Sequence, residues 1–295
     1  MNFAESVKSF VALTKPTIVL SFALTGATAL VVEGSLLRQP TKFFLVLLAI
    51  VFTAASANGL NQYLERDIDA QMERTKKRRP LPLQKIKPAV ALWFCIFLGV
   101  VAISYLAIYI NILSAALALG TILFYIFIYT LWLKPLTYYN IVIGGAAGAT
   151  APLIGWAAAT GKISLAAWLM FLIIFMWTPP HFWALALCVK DQYAKVGIPM
   201  LPVVKGEKRT REEILWYSII LVALTFSLFI FKEAGLIYLI SALILGFVWL
   251  YRAWKLYVQK TQKAAYSLFG YSILYLMLLF IMMMVDAKIP LKLAF

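Results

Sequence analysis

Nine stretches of mostly apolar residues alternate with polar connections along this chain. They fall at roughly 16–34, 42–64, 88–110, 112–133, 139–160, 163–188, 213–232, 235–254 and 265–286. Each holds about 20 residues, enough for an α-helix to cross roughly 30 Å of hydrocarbon. Backbone groups in lipid must be satisfied within the segment, so such spans are helical. The pattern predicts an all-α integral membrane protein with nine transmembrane helices, organised as one domain over 1–295. Connections after the first, third, fifth and seventh spans are short. Those after the second and sixth are long and polar. Both follow an even-numbered span and mix acids with bases, a weak sign of an internal repeat.

Composition agrees. The chain is 63% hydrophobic and 13% charged, with a mean hydropathy of +0.89, which excludes disorder and an ordinary soluble domain. The net charge of +15 would suit nucleic acid in a soluble protein. Here the Lys and Arg lie between apolar spans, so a lipid surface accounts for them and no nucleic-acid partner is expected. Of the 27 Lys and Arg, all but Arg38, Lys42, Lys162, Lys232, Lys288 and Lys292 fall on the side of the N-terminus. The positive-inside rule then places the N-terminus and both long loops in the cytoplasm, and the C-terminus outside, of a cell membrane. Cys95 and Cys188 sit in or beside apolar runs and read as small hydrophobes. No cleavable signal peptide is evident, since the run after Lys15-Pro16 reads as a true span.

The first long loop carries the strongest chemistry. Four of the twelve Asp and Glu, namely Glu65, Asp67, Asp69 and Glu73, fall in one short segment at the end of the second span. Asn61, Glu65 and Asp69 are spaced i, i+4, i+8. On a helix, successive members rotate by about 40° and rise about 6 Å, so their oxygens line one face. Three hard oxygen donors with room for water suit Mg²⁺ held together with a substrate phosphate. Asp67 points elsewhere and pairs with Arg66 or Arg74, while Glu73 extends the stripe by a turn. Ionisable groups at membrane depth are costly and usually functional. The basic run Arg74 to Arg79 follows. Arg74 is a candidate diphosphate ligand, whereas Lys76 and Lys77 read as anchors on anionic lipid.

In the second loop Asp191 is the only acid before Glu207, and it is the expected metal ligand from the opposite side. Just upstream, Trp177-Thr-Pro-Pro-His181-Phe-Trp183 puts two prolines inside an apolar helix. They interrupt its hydrogen bonds, which is tolerated beside a cavity. His181 is the sole histidine and reads either as a core residue or as a ligand of a porphyrin iron or a proton acceptor. Tyr129 and Lys134 end the fourth span as an interfacial anchor or a phosphate contact. The small-residue stretch from Gly144 to Gly155 reads as close helix packing or a smooth wall beside a lipid chain. A cation-coupled transporter using Asn61, Glu65 and Asp69 is a different-class alternative, disfavoured because such sites lie near the midplane.

These residues resemble the UbiA superfamily of intramembrane prenyltransferases. An N-x-x-x-D-x-x-x-D motif there is matched by Asn61, Glu65 and Asp69, with Glu in the middle place. Arg74-Thr75, Arg79-Pro80-Leu81, Tyr129 and Lys134 are similar too. Within the superfamily the chain resembles the haem branch in Leu13-Thr-Lys15-Pro16, Glu65 to Thr75, Asn140 to Gly148, Pro152 to Trp156, Trp177 to Trp183 and Gly197 to Pro202. Two departures are Gln192, where that branch usually has a second Asp, and Ala151 in place of a Pro. The resemblance implies a UbiA-type helical bundle in which Mg²⁺ bridges Asn61, Glu65, Asp69 and Asp191 to farnesyl diphosphate. Arg74, Tyr129, Lys134 and Lys190 would contact the diphosphate. It also implies haem b as acceptor, farnesylated at a vinyl group to haem O, with His181, Trp177 and Trp183 near it. A quinone precursor or another lipid is the alternative acceptor. Membrane lipid is the surrounding partner, and a homo-oligomer or a haem-handling protein is a possible further one.

Overall fold

The computed structural model describes residues 3–289. Nine helices among the described residues are long and apolar enough to cross a membrane. They are Pro16–Glu33, Pro40–Leu64, Pro88–Ile110, Ile112–Leu136, Asn140–Thr160, Leu165–Cys188, Gly206–Ile230, Leu236–Gln259 and Gln262–Lys288. No strand occurs among the described residues. Pro16, Pro40 and Pro88 each open a helix, where a missing N–H costs nothing. Asn111, Ser164 and Thr261 open others by accepting from Ser114, Ala167 and Ala264 N–H.

The helices overrun their apolar runs at polar ends. The seventh span begins at Gly206, well before its apolar run. Its charged first turns are held by Glu207–Arg211 at 3.2 Å and Arg209–Glu213 at 2.5 Å, both i,i+4 pairs. The sixth span runs unbroken through Pro179 and Pro180. The prolines remove the N–H donors that Phe175 and Met176 carbonyls would otherwise use, yet do not end the helix. The seventh span is interrupted at Phe226, and the fifth is interrupted too. The fifth pauses at Ala149–Thr150 and resumes at Ala151.

A further helix, Phe3–Leu13, precedes the first span and has no counterpart in the apolar runs. Phe3, Val7 and Val11 form an exposed i, i+4, i+8 stripe, while Leu13 is buried. This is the pattern of a helix lying in the membrane interface. Gln62 ties its end to the second span by donating to Ala12 O at 3.1 Å and Leu13 O at 2.8 Å.

Two apolar cores hold the spans together. One joins the first five spans through Leu30, Ile50, Leu98, Ala118 and Ile154. The other joins the fifth to the ninth around Met170, Trp183, Tyr238, Trp249 and Phe280. Small residues set the spacing. A Cβ on Gly155 would stand 2.8 Å from the carbonyl of Gly26, and one on Gly144 would stand 2.1 Å from the Tyr129 ring. Helix association in lipid rests on such close approach. The first span also meets the ninth, where Thr28 Oγ1 donates to Phe280 O at 3.4 Å. The bundle therefore encloses a space reached from the ends of the first, second, fourth, sixth and ninth spans.

Candidate functional site

Two adjoining chambers occupy that space. The polar one has a volume of about 850 Å³ and includes Lys15, Asn61, Glu65, Arg74, Arg79, Lys134, Gln192 and Tyr193 in its wall. The apolar one, of about 250 Å³, is walled in part by Phe22, Gly144, Gly148, Ile174, Trp177 and His181. Thr17, Ile18, Tyr125, Tyr129 and Phe182 belong to both walls, so the chambers share a border.

The acidic stripe exists, with one change in its backbone. The second span ends at Leu64, Glu65 is its cap, and a short helix resumes over Arg66–Gln71. The i→i+4 ladder continues across the junction, since Glu65 N donates to Asn61 O at 3.0 Å and Asp69 N to Glu65 O at 2.8 Å. Asn61, Glu65 and Asp69 thus stay in line, and all three are buried. Glu73 leaves the stripe, because Met72 is extended and turns the chain. Asp67 is exposed and pairs with Arg66 at 4.0 Å.

Each stripe residue is held by a cation. Lys15 Nζ donates to Asn61 Oδ1 at 2.7 Å, and Asn61 Nδ2 donates to Thr130 Oγ1 at 3.0 Å. Lys134 donates to Glu65. Arg79 is ion-paired to Asp69 and stands 3.8 Å from Glu65. Burial pushes the Glu65 carboxyl upward, but Lys134, Lys15 and Arg79 outweigh it and leave Glu65 below the usual carboxylate range. Asp69 stays above that range, because burial and the Glu65 charge exceed the pull of Arg79. Burial, with the Arg79 charge, drives Lys15 well below the usual lysine range. Asp69 sits behind the wall on Arg79, and in the wall itself Lys15, Arg74, Arg78, Arg79 and Lys134 outnumber Glu65 and Glu73, so the chamber favours an anion.

Arg74 adds to this. Its backbone N–H donates to Gln192 Oε1 at 3.0 Å, and its Nε is buried without a partner. Arg74 lines the chamber, and a guanidinium in such a wall is suited to a phosphoryl oxygen. The oxygen donors suit magnesium as well. Among the described residues no group of three or more His, Cys, Asp or Glu stands ready to hold a metal alone. Asn61 Oδ1 with the carboxylates of Glu65 and Asp69 is nonetheless the sparse oxygen set that magnesium accepts when a substrate supplies phosphate oxygens. Cations already sit against all three donors, so positive charge is tolerated there.

Other expected residues lie elsewhere. Asp191 is exposed and is not part of either wall. It lies on the short helix Lys190–Lys195, where Val189, Gln192 and Tyr193 share the face toward the chamber. Residue 191 falls about 100° or more away on such a helix. Lys190 is also outside the wall and pairs with Glu207 at 3.4 Å. Trp183 is fully buried and packs edge-on against Tyr217 at 5.2 Å, in the core and away from both chambers. Tyr129 and Lys134 do meet in the polar wall, with Lys134 Nζ 5.9 Å from the Tyr129 ring centre.

Trp177 and His181 lie in the apolar wall. The His181 ring is sandwiched between Trp177 at 4.2 Å and Phe269 at 4.8 Å. Its Nδ1 is bonded to Ser272 Oγ. Lys15, Arg79, Gln192 and Ser272 are the site residues to which the sequence assigned no role, although the first three stand in the motifs that carry the resemblance. Lys15 and Arg79 each precede a proline, but so does Lys87, so this does not set them apart from the neighbouring anchors. Ser272 has no local signal.

A model described as the UbiA prenyltransferase family matches residues 19–282. A protoheme IX farnesyltransferase of Picosynechococcus sp. is 47% identical, over 97% of this chain and 90% of its own length. Another protein of that name, from Gloeobacter violaceus, is 45% identical over 97% and 94%. Among solved structures, a digeranylgeranylglyceryl phosphate synthase superposes with a TM-score of 0.78 at 21% identity, covering 97% of this chain and 100% of that one. A UbiA homologue from Archaeoglobus fulgidus bound to DMAPP and Mg²⁺ superposes with a TM-score of 0.64 at 18% identity, over 93% and 99%. These two likenesses concern the fold.

Proposed function

The chain belongs to the UbiA prenyltransferase family, and on that premise we propose that it transfers a farnesyl group from farnesyl diphosphate to a vinyl group of protohaem IX, giving haem O. The observation that carries this reading is the shared border of the chambers. A cation-lined wet chamber meets a dry one at Tyr125, Tyr129 and Phe182. An allylic diphosphate is itself divided in this way, with an anionic head and a hydrocarbon tail. The protoheme IX farnesyltransferase name of the relatives supports haem as acceptor.

Arg74 and Lys15 bind the diphosphate, with Lys134 released from Glu65 to join them. Gln192 orients Arg74 through its backbone. Asn61, Glu65 and Asp69 would hold magnesium, and Asp191 is exposed outside both walls. When bound, magnesium neutralises charge on the leaving group. The bond between the allylic carbon and the diphosphate oxygen breaks, and its electron pair leaves with the diphosphate. The cationic wall holds that charge as it develops. Tyr129, Phe182 and Trp177 keep water from the allylic cation. The vinyl group of the acceptor then supplies electrons for the new C–C bond, and water adds its oxygen to the resulting cation and releases a proton. The excess of Lys and Arg on the N-terminal side supports a polar mouth facing the cytoplasm of a cell membrane.

The test is direct. Purified protein given Mg²⁺, farnesyl diphosphate and haem b should yield a farnesylated haem by mass spectrometry. Prenylation of a quinone precursor in parallel, with haem untouched, would refute the acceptor.

A further inference from the structure

His181 and Ser272 stand on different spans and meet beside the apolar chamber. Ser272 is fully buried. Its Oγ donates to Phe269 O at 2.5 Å, which uses the only hydroxyl hydrogen. With that hydrogen spent there, the same oxygen is free to accept from His181 Nδ1, the arrangement in which Nδ1 carries the imidazole hydrogen. Ser272 also fixes the neighbouring ring, since Trp177 Nε1 donates to Ser272 O at 2.8 Å. One residue of the ninth span thus orients two rings of the sixth. Among the described residues no hydrogen bond reaches Nε2, and His181 belongs to the chamber wall.

An imidazole stacked on both faces, with one N–H tied to an oxygen and the other nitrogen left bare, is arranged as metal-bound imidazoles are. Such a ring presents a lone pair in a fixed direction. We propose that Ser272 holds His181 in its Nδ1–H form, and that the bare Nε2 binds the iron of the haem acceptor. This rests on the haem reading above. The chain has a single histidine, so no second imidazole of this chain takes the other face. A single imidazole holds the macrocycle without enclosing it, and the acceptor can leave after transfer. Ile18, in the wall of both chambers, is 51% exposed, which leaves an opening beside the first span. Ser272 is a positioning residue in this scheme and touches no substrate.

The experiment titrates haem b into purified wild-type protein and into His181→Ala, Ser272→Ala and Ser272→Thr variants. Absorption and resonance Raman spectra report the iron ligand, and circular dichroism reports the fold. Wild type should show a single-imidazole haem, and His181→Ala should lose that signature. Ser272→Ala should weaken haem affinity at least about tenfold, the size usual for loss of a group that orients a metal ligand. It should also lower the iron–imidazole stretching frequency, with Ser272→Thr restoring both. A Ser272→Ala protein with wild-type affinity and an unshifted stretch would overturn the proposal, as would an imidazole signature persisting in His181→Ala. Should wild type prenylate haem while these variants match it spectrally, only the ligation fails. If it prenylates another acceptor and binds no haem, the acceptor reading fails too.

Discussion

Arg79 offers the sharpest separation of stability from activity. It is bonded to Asp69 and stands 3.8 Å from Glu65, with side-chain exposures of 16%, 4% and 6% for the three. At 3.8 Å and an effective dielectric of about 20 the gross attraction to Glu65 is about 4 kcal/mol, most of it offset by desolvation. Arg79→Met leaves Asp69 as a buried carboxylate without its partner. Removing one member of a buried pair costs roughly 3–5 kcal/mol, and the partial exposure of Arg79 lowers this to about 2–4 kcal/mol. Adding Asp69→Asn removes the stranded charge, so the double variant should regain at least about half of the loss. Activity should not return with it, because a metal-side oxygen and a cation are both gone. Denaturant unfolding of the four proteins in one detergent gives the cycle, and a farnesyl-transfer assay runs beside it. Purely additive stabilities, or a double variant as active as wild type, would refute the ion-pair reasoning.

Asp69→Asn alone should lower turnover at least about 100-fold with the fold intact, equivalent to roughly 2.7 kcal/mol of lost barrier reduction; a fully active variant would remove Asp69 from the metal. Asp191→Asn should cost distinctly less than Asp69→Asn in the same assay, since Asp191 is exposed while Asp69 is buried in line with Asn61 and Glu65 and paired to Arg79 of the chamber wall, and an equal loss would return it to the metal. Gly144→Leu should destabilise by roughly 1–3 kcal/mol, visible as a lowered melting temperature, because even its Cβ would stand 2.1 Å from the Tyr129 ring. Chelation of divalent cations should halt transfer, and added Mg²⁺ should restore it; turnover that survives chelation would contradict the oxygen-donor reading.

Apolar periodicity was enough to place nine spans, because lipid demands long, self-satisfied helices whatever the neighbours are. The Asn61, Glu65, Asp69 alignment was legible for the same reason, since helical spacing alone puts them in line. What escaped was everything decided by contacts between distant segments. Asp191 and Gln192 are adjacent in sequence, and only the docking of Lys190–Lys195 selects Gln192 for the chamber. Lys15 and Arg79 look like the other basic anchors until Asn61 and Asp69 are seen to accept from them. Trp183 shares a motif with His181 but turns into the core, as two residues along a helix must diverge by about 160–200°. The interfacial helix Phe3–Leu13 was missed because its apolar stripe is short and broken by charge.

The five residues common to both chamber walls bear on how the reaction ends. Two products of opposite solubility arise at one frontier. Inorganic diphosphate belongs to water and the prenylated tetrapyrrole to oil. Exposed residues of the wall mark a side for each, Arg78 and Glu73 for the first and Ile18 for the second. Neither has to cross the other's path. Such an arrangement lets solvent preference itself sort the products.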